Sequence, residues 1–199
     1  MTTTSLDTCE AVLYENGLHP IAGVDEAGRG PLAGPVVACA LTLPPGLIIE
    51  GVTDSKKLSE SRRESLAVKI KTAAISHSYG IIGAAAIDEI NIHQAALMAM
   101  ALAIEKLHIR PKVVIVDGKF PPKIPHPTIH IIKGDIHSHL IAAASILAKV
   151  ARDEIMLQMH NTYPQYGFNK HKGYGTKAHK AAIKEHGLCP EHRVSFNHM

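Results

Sequence analysis

The chain has 199 residues, 46% of them hydrophobic, with a formal net charge of +3. That is enough for one domain with a real core, and too little net charge to argue for a nucleic-acid partner by itself. No apolar run reaches the roughly 18 residues of a membrane helix and the N-terminus does not resemble a signal peptide, so the chain is expected in the cytoplasm; Cys9, Cys39 and Cys189, odd in number and far apart, argue against a disulfide framework or a thiolate zinc site.

Thr8 to Asn16 reads as one or two helical turns closed by Gly17, with no chemistry. Ile21 to Val24 is an apolar run bounded by glycine, predicted as a short buried strand that ends on Asp25 and Glu26. Burying two adjacent carboxylates is costly unless cations or hydrogen bonds compensate, and a metal ion is the direct compensation. Gly28, Arg29 and Gly30 follow: glycines that let the backbone approach a ligand, and a planar cation suited to phosphate. The commonest use of an Asp-Glu pair is a solvated strand end, and the glycines also fit a dinucleotide loop. Such a loop must open a helix, however, whereas Pro35 to Leu43 is a β-branched run predicted as a second, antiparallel strand.

Asp54-Ser55-Lys56-Lys57 is a polar loop ahead of a helix expected from about Ser59 to Ala74, with capping-box spacing at Ser61 and Glu64. Its lysines and backbone N–H groups are candidates to hold a phosphate, against the plain alternative of a solvated lysine pair. Ser76 to Ala86 reads as a third strand. Ile87 then enters a helix to about His108, in which Ile92, Ala96, Met100, Ala103 and Leu107 form a core stripe. Lys112 to Asp117 is a buried strand ending on a carboxylate, as at Asp25, and open α/β sheets bind ligands beyond the carboxyl ends of their strands. Thr128 to Asp135 is a fifth strand with a third terminal aspartate.

Ser138 to about Met159 is a long helix with Leu140, Ala144, Leu147, Ala151 and Ile155 on its apolar stripe. Ser145, Lys149 and Arg152 lie on a polar, basic stripe, where a Lys149–Asp153 salt bridge is the competing account. From Asn161 the chain becomes basic, aromatic and glycine-rich, the mixture a nucleic-acid surface needs. Lys177 to His186 looks helical. Two units are expected: a catalytic domain over 1–159 and a small helical appendage over 160–199.

Several segments in order carry a resemblance: Gly-Val-Asp-Glu-Ala-Gly-Arg-Gly-Pro-Leu-Ala-Gly, Asp-Ser-Lys-Lys-Leu-Ser, Asp-Glu-Ile-Asn-Ile, Val-Asp-Gly, Lys-Gly-Asp, Ala-Ala-Ser-Ile-Leu-Ala-Lys-Val-Ala-Arg-Asp, and Tyr-Pro-Gln-Tyr-Gly-Phe leading to His-Lys-Gly-Tyr-Gly-Thr. Over nearly its whole length the chain resembles the ribonuclease HII family, the type 2 ribonucleases H. The resemblance implies a ribonuclease H-like α/β fold: a mixed five-stranded sheet with an antiparallel first part, flanked by helices and followed by a small C-terminal helical segment. It implies metal-binding, catalytic acids at Asp25, Glu26, Asp117 and Asp135, with two divalent ions, Mg²⁺ or Mn²⁺. Gly28, Arg29, Gly30 and Tyr174 would recognise the ribonucleotide, and Ser55, Lys56, Lys57, Ser145 and Lys149 would contact nucleic acid.

The implied activity is endonucleolytic hydrolysis of the RNA strand of RNA–DNA hybrids, and cutting 5′ of ribonucleotides embedded in duplex DNA, by a monomer. Ile136, His137 and Ala142 depart from the usual family residues beside the fourth acid. The rivals are a DNA nuclease of the same fold, a non-catalytic hybrid-binding module, and a zinc protein built on His137-Ser-His139, most of the 14 histidines being expected at the surface.

Overall fold

The computed structural model of the chain describes residues 8 to 198. In chain order the elements are α1 (Thr8–Glu15), β1 (Ile21–Ala27), β2 (Val36–Thr42), α2 (Glu60–Ala73), β3 (Ser76–Ile82), α3 (Ala84–Glu105), β4 (Val113–Asp117), β5 (Thr128–Ile131), α4 (Gly134–His137), α5 (His139–Thr162), α6 (Phe168–His171) and α7 (Lys177–His186). The strands form one sheet in the order β3-β2-β1-β4-β5. β1 pairs antiparallel with β2 and parallel with β4, β2 pairs antiparallel with β3, and β4 pairs parallel with β5, giving the mixed sheet expected.

Helices cover both faces. Alternation along the strands sends Ala22, Val24, Val114 and Val116 toward α3, and Ile21, Leu41 and Ile115 toward α2 and α5. α5 crosses β1 very closely: a Cβ on Gly23 would lie 2.5 Å from the backbone of Leu140, so only glycine allows the contact. Since Val24 lies beside Val116, the carboxyl ends of the parallel strands β1 and β4 open onto the same edge of the sheet.

Several predicted boundaries move, each for a local reason. The cap of α2 is Ser59, which accepts the Arg62 N–H at 3.3 Å; Ser61 already lies inside the helix, so its spacing to Glu64 marks no helix start. The third strand stops at Ile82, and Ala84 to Ala86, good helix formers, begin α3. α3 is broken at Asn91, at φ 64°, whose side chain accepts from the N–H groups of His93 and Gln94 and restarts the helix. The fifth strand ends at Ile131; Lys133 takes a left-handed conformation and Asp135 stands on the short helix α4 rather than at a strand end.

On α5 the last turns bury Arg152 and Met156 instead of Ala151 and Ile155, because the C-terminal segment packs there from a second direction. Tyr166, Phe168, Met156, Ala33 and Cys189 form that small cluster. α5 itself runs through the expected boundary at residue 159, to Thr162. Among the described residues no helix is long and apolar enough to cross a membrane.

Candidate active site

Asp25 sits two residues from the end of β1 and Asp117 closes β4. Both share the odd-numbered strand face that looks toward α5, whereas Glu26 faces the α3 side. A cavity of about 270 Å³ opens over this edge, lined by Asp25, Glu26, Gly28, Arg29, Ser55, Lys56, Arg63, Asp117, Ser145, Lys149 and Tyr174 among others. Of the residues singled out in the sequence, Gly30, Lys57 and Asp135 are not part of this lining. Gly30 is nevertheless adjacent, since a Cβ there would stand 3.7 Å from the Tyr174 ring. Lys57 points to solvent.

Asp25 is only 6% exposed. It accepts the Glu26 N–H at 2.7 Å and a bond from Ser145, whose hydroxyl lies 2.9 Å from that of Ser55. Burial, with the charges of Glu26 and Asp117 adding, holds the Asp25 carboxyl well above the usual carboxylate range. Burial also raises the Glu26 carboxyl in spite of Arg29, whose Nη1 lies 3.2 Å from Oε1. Asp117 is raised by burial and by the charge of Asp135, although it accepts the Gly134 N–H at 2.6 Å. That bond turns the chain into α4 and sets Asp135 near Asp117; Asp135 in turn lies 3.6 Å from Lys56 Nζ. Burial pulls the Lys56 ammonium down, but Asp135, Asp54 and Asp25 outweigh it and hold it above its usual value.

Three clustered carboxylates that resist ionisation mark negative charge without enough counter-charge, the condition a divalent cation relieves. Among the described residues no three acidic, histidine or cysteine side chains form a ready-made ion cage. Mg²⁺ is commonly bound through one or two carboxylates and completed by waters and substrate phosphates. All-oxygen donors also favour Mg²⁺ or Mn²⁺ over softer metals.

The loop at 54–57 differs from expectation. Ser55–Lys57 forms a single 3₁₀ turn capped by Asp54, which accepts the Lys56 N–H at 3.0 Å, and Ser59 serves the start of α2. The N–H groups of Lys56, Lys57 and Leu58 are therefore engaged within the turn, and the loop offers the cavity the Ser55 hydroxyl and the Lys56 ammonium. Lys149 is bonded to Asp153 at 2.5 Å, the salt bridge weighed from the spacing, and still lines the cavity. Arg152, grouped with it on a basic stripe, is buried and donates to the carbonyls of Pro35, Ala33 and Lys172.

Sequence reasoning missed Arg63, which lines the cavity, donates to Ser55 O and Leu58 O and lies 3.7 Å from Asp153. It missed His93, whose Nδ1 is 3.5 Å from Arg29 Nη2. It also missed Arg193, buried behind the Gly28–Gly34 loop and bonded to its carbonyls. The first lies inside a helix in a run of charges, with no signal to separate it from surface neighbours; Asn91 and its helix break were the available hint for the second.

Three of the fourteen histidines are buried, and the others are exposed or partly exposed, as expected of most of them. His139 is buried and its Nε2 accepts the Ile49 N–H at 3.0 Å, which leaves His137-Ser-His139 no shared metal geometry. His179 and His192 are buried too, with their Nε2 atoms 3.1 Å apart, beneath the C-terminal segment.

Comparison with known proteins agrees with this layout. The family model described as Ribonuclease HII matches residues 22–199. A ribonuclease HII of Caldanaerobacter subterraneus subsp. tengcongensis is 53% identical over 187 residues, covering 94% of this chain and 78% of the relative. One from Ruminiclostridium cellulolyticum is 54% identical over 187 residues, covering 94% and 73%. The crystal structure of the ribonuclease H2 from Pyrococcus horikoshii OT3 superimposes with a TM-score of 0.77 at 27% identity, covering 89% of this chain and 94% of that one. With a family model over most of its length, relatives at half identity and a shared mixed sheet, the chain belongs to the ribonuclease HII family and is an endoribonuclease.

Proposed function

We propose that this enzyme hydrolyses the RNA strand of RNA–DNA hybrids and cuts 5′ of single ribonucleotides embedded in duplex DNA, leaving 5′-phosphate and 3′-hydroxyl ends. The observation that carries the proposal is the cavity itself, which joins the carboxylates of Asp25, Glu26 and Asp117 to Arg29, Lys56, Lys149 and Tyr174 around one opening. Asp25, Glu26, Asp117 and Asp135 would hold two divalent ions, Mg²⁺ or Mn²⁺, Asp135 entering from α4 beside Lys56. Such ions supply an activated water and stabilise the leaving oxygen.

The protein's own part is positioning. Lys56, with Ser55 and Ser145 behind it, faces the acids and would carry the scissile phosphate; Lys57 and Lys149 would meet flanking phosphates, Lys149 by leaving Asp153. The Gly28–Gly30 turn would bond the 2′-hydroxyl, the group that distinguishes RNA from DNA. The exposed Tyr174 ring would pack on the adjoining deoxyribose, where a second hydroxyl would clash. Residues 160–199 then act as the substrate-binding appendage, through Tyr174. The enzyme would act in the cytoplasm as a monomer.

The test is cleavage of a DNA duplex with one ribonucleotide in Mg²⁺, Mn²⁺ or chelator. Incision on the 5′ side, abolished by chelator and by Asp117→Asn while duplex binding survives, is the expected result. Equal cutting of an all-DNA duplex would overturn the substrate assignment, and near-normal turnover of Asp117→Asn the site assignment.

A further inference from the structure

The loop at Gly28 to Gly34 is held from behind by a buried guanidinium. Arg193 is 0% exposed and makes four bonds to three carbonyls: Nη2 to Gly28 O at 2.6 Å and to Gly34 O at 2.8 Å, Nη1 to Arg29 O at 3.0 Å, and Nε to Gly34 O at 2.9 Å. A planar fork of five donors can serve several carbonyls in one plane, which neither an ammonium nor an amide can do. Among the described residues no carboxylate is bonded to it; the Phe196 ring, 5.1 Å away, and the more distant charge of Asp88 offset only part of the cost of burying it. Its retention asks for a role beyond filling space.

The role follows from peptide geometry. In a trans peptide unit the C=O and the N–H point in opposite directions, and the units of this loop are trans. Fixing the Gly28 carbonyl on Arg193 turns the Arg29 N–H away from the guanidinium. Fixing the Arg29 carbonyl does the same to the Gly30 N–H. Both donors therefore face the outer side of the turn, where Arg29 and Gly30 are exposed and Tyr174 stands opposite.

The backbone of Arg193 is itself fixed. Its N–H donates to Leu32 O at 2.9 Å, and its carbonyl accepts from the Phe196 N–H and from His198 Nε2. The next two residues are gripped by Asp88 in the early part of α3, whose carboxylate accepts from the Val194 N–H at 2.8 Å, the Ser195 N–H at 3.0 Å and the Ser195 hydroxyl at 2.5 Å. Asp88 does not line the cavity. The Asp-Glu-Ile-Asn-Ile segment noted in the sequence thus gains a purpose at its first residue.

We propose that Arg193, anchored through Asp88, is the positioning residue for ribonucleotide recognition: it presets the two N–H groups of the Gly28–Gly30 turn that receive the substrate's 2′-hydroxyl. This rests on the substrate reading above. A merely structural Arg193 would weld the C-terminal segment to the sheet without affecting the choice between ribose and deoxyribose.

The experiment measures binding, not turnover. Kd is determined for two DNA duplexes that differ by one 2′-hydroxyl, with Ca²⁺ replacing the catalytic metal, for the full-length wild type, Arg193→Lys and Asp88→Asn, with the melting temperature of each. The wild type should prefer the ribonucleotide duplex. In Arg193→Lys, which keeps the charge and loses the fork, the ratio should fall to near one while affinity for the all-DNA duplex stays within twofold of wild type. A Lys variant that keeps the wild-type ratio overturns the proposal, as does one that weakens both duplexes equally. If Arg193→Lys does not fold, Asp88→Asn decides: a ratio reduced at least threefold supports the proposal and an unchanged ratio overturns it. A wild type without preference would instead count against the substrate reading, which separates the two failures.

Discussion

The crowding of carboxylates at the ends of β1 and β4 makes a prediction about stability. Asp25→Asn should abolish cleavage and, in chelator, make the protein more stable than wild type. Asp25 is buried, faces the charges of Glu26 and Asp117, and its carboxyl is raised accordingly. At an effective dielectric of about 20, unit charges roughly 8 Å apart repel by about 2 kcal/mol. Asparagine keeps a carbonyl to accept the Glu26 N–H and the Ser145 hydroxyl, but these bonds weaken when the acceptor loses its charge, by about 1 kcal/mol together. The net gain is about 1 kcal/mol, or roughly 2 to 4 °C in melting temperature for a chain of this size.

The sign with pH is fixed by the direction of the shift. A carboxyl raised in the fold binds its proton more tightly there than in the unfolded chain, so wild-type stability falls as pH rises from the unfolded carboxylate range toward the raised folded one. The advantage of Asp25→Asn should accordingly be larger at pH 8 than at pH 5 and vanish in acid. Added Mn²⁺ should reverse the order, since a cation that binds only the folded wild type stabilises it by mass action. Thermal melts of both proteins at pH 5 and 8, with chelator or Mn²⁺, check all of this. A variant less stable than wild type in chelator at pH 8, or one that gains as much from Mn²⁺, would refute the reasoning.

Gly28→Ala should cost about 3 kcal/mol, from a φ of 101° that disfavours a side chain and a Cβ only 2.2 Å from Arg152 Nε, whereas Gly30→Ala should leave the melting temperature within about 1 °C; paired melts decide it. Lys56→Ala should lower the slope of log K against log salt by about 0.9 on duplex DNA, as for one lost phosphate contact, and an unchanged slope would return this lysine to a solvated role. Tyr174→Ala should lose most activity on a single embedded ribonucleotide at an unchanged melting temperature, because the side chain is 46% exposed. Burial, with the neighbouring His171, His192 and His198, brings His179 down to about 4, so stability should be complete above pH 6.5 and fall toward pH 4, and His179→Gln should flatten that slope in melts between pH 7 and 5.

Three acids were legible in the sequence because their signal is local: an apolar run that stops on a carboxylate says where the side chain must emerge, and Asp25, Glu26 and Asp117 obey it. Asp135 satisfied the same pattern and stands elsewhere, on α4, since the turn into that helix depends on a bond between the Gly134 N–H and Asp117, 17 residues away. Spacing alone also left Lys149 between phosphate contact and salt bridge, and only the packing of α5 against α2, which sets Arg63 3.7 Å from Asp153, shows that Lys149 now makes the bridge.

The strand order had to await the tertiary structure, because β1 pairs with β4 almost a hundred residues on, a partnership no periodicity encodes. The same holds for the guanidiniums of Arg152 and Arg193. As residues they look like any surface cation; their carbonyl partners lie 117 to 165 residues distant for the bonds to the loop, and burial with a full set of acceptors is a property of the closed fold. The amino-acid sequence determined the chemistry available, carboxylates, a glycine turn and a tyrosine. The direction in which that turn presents its donors was decided by an arginine brought to it from the other end of the chain.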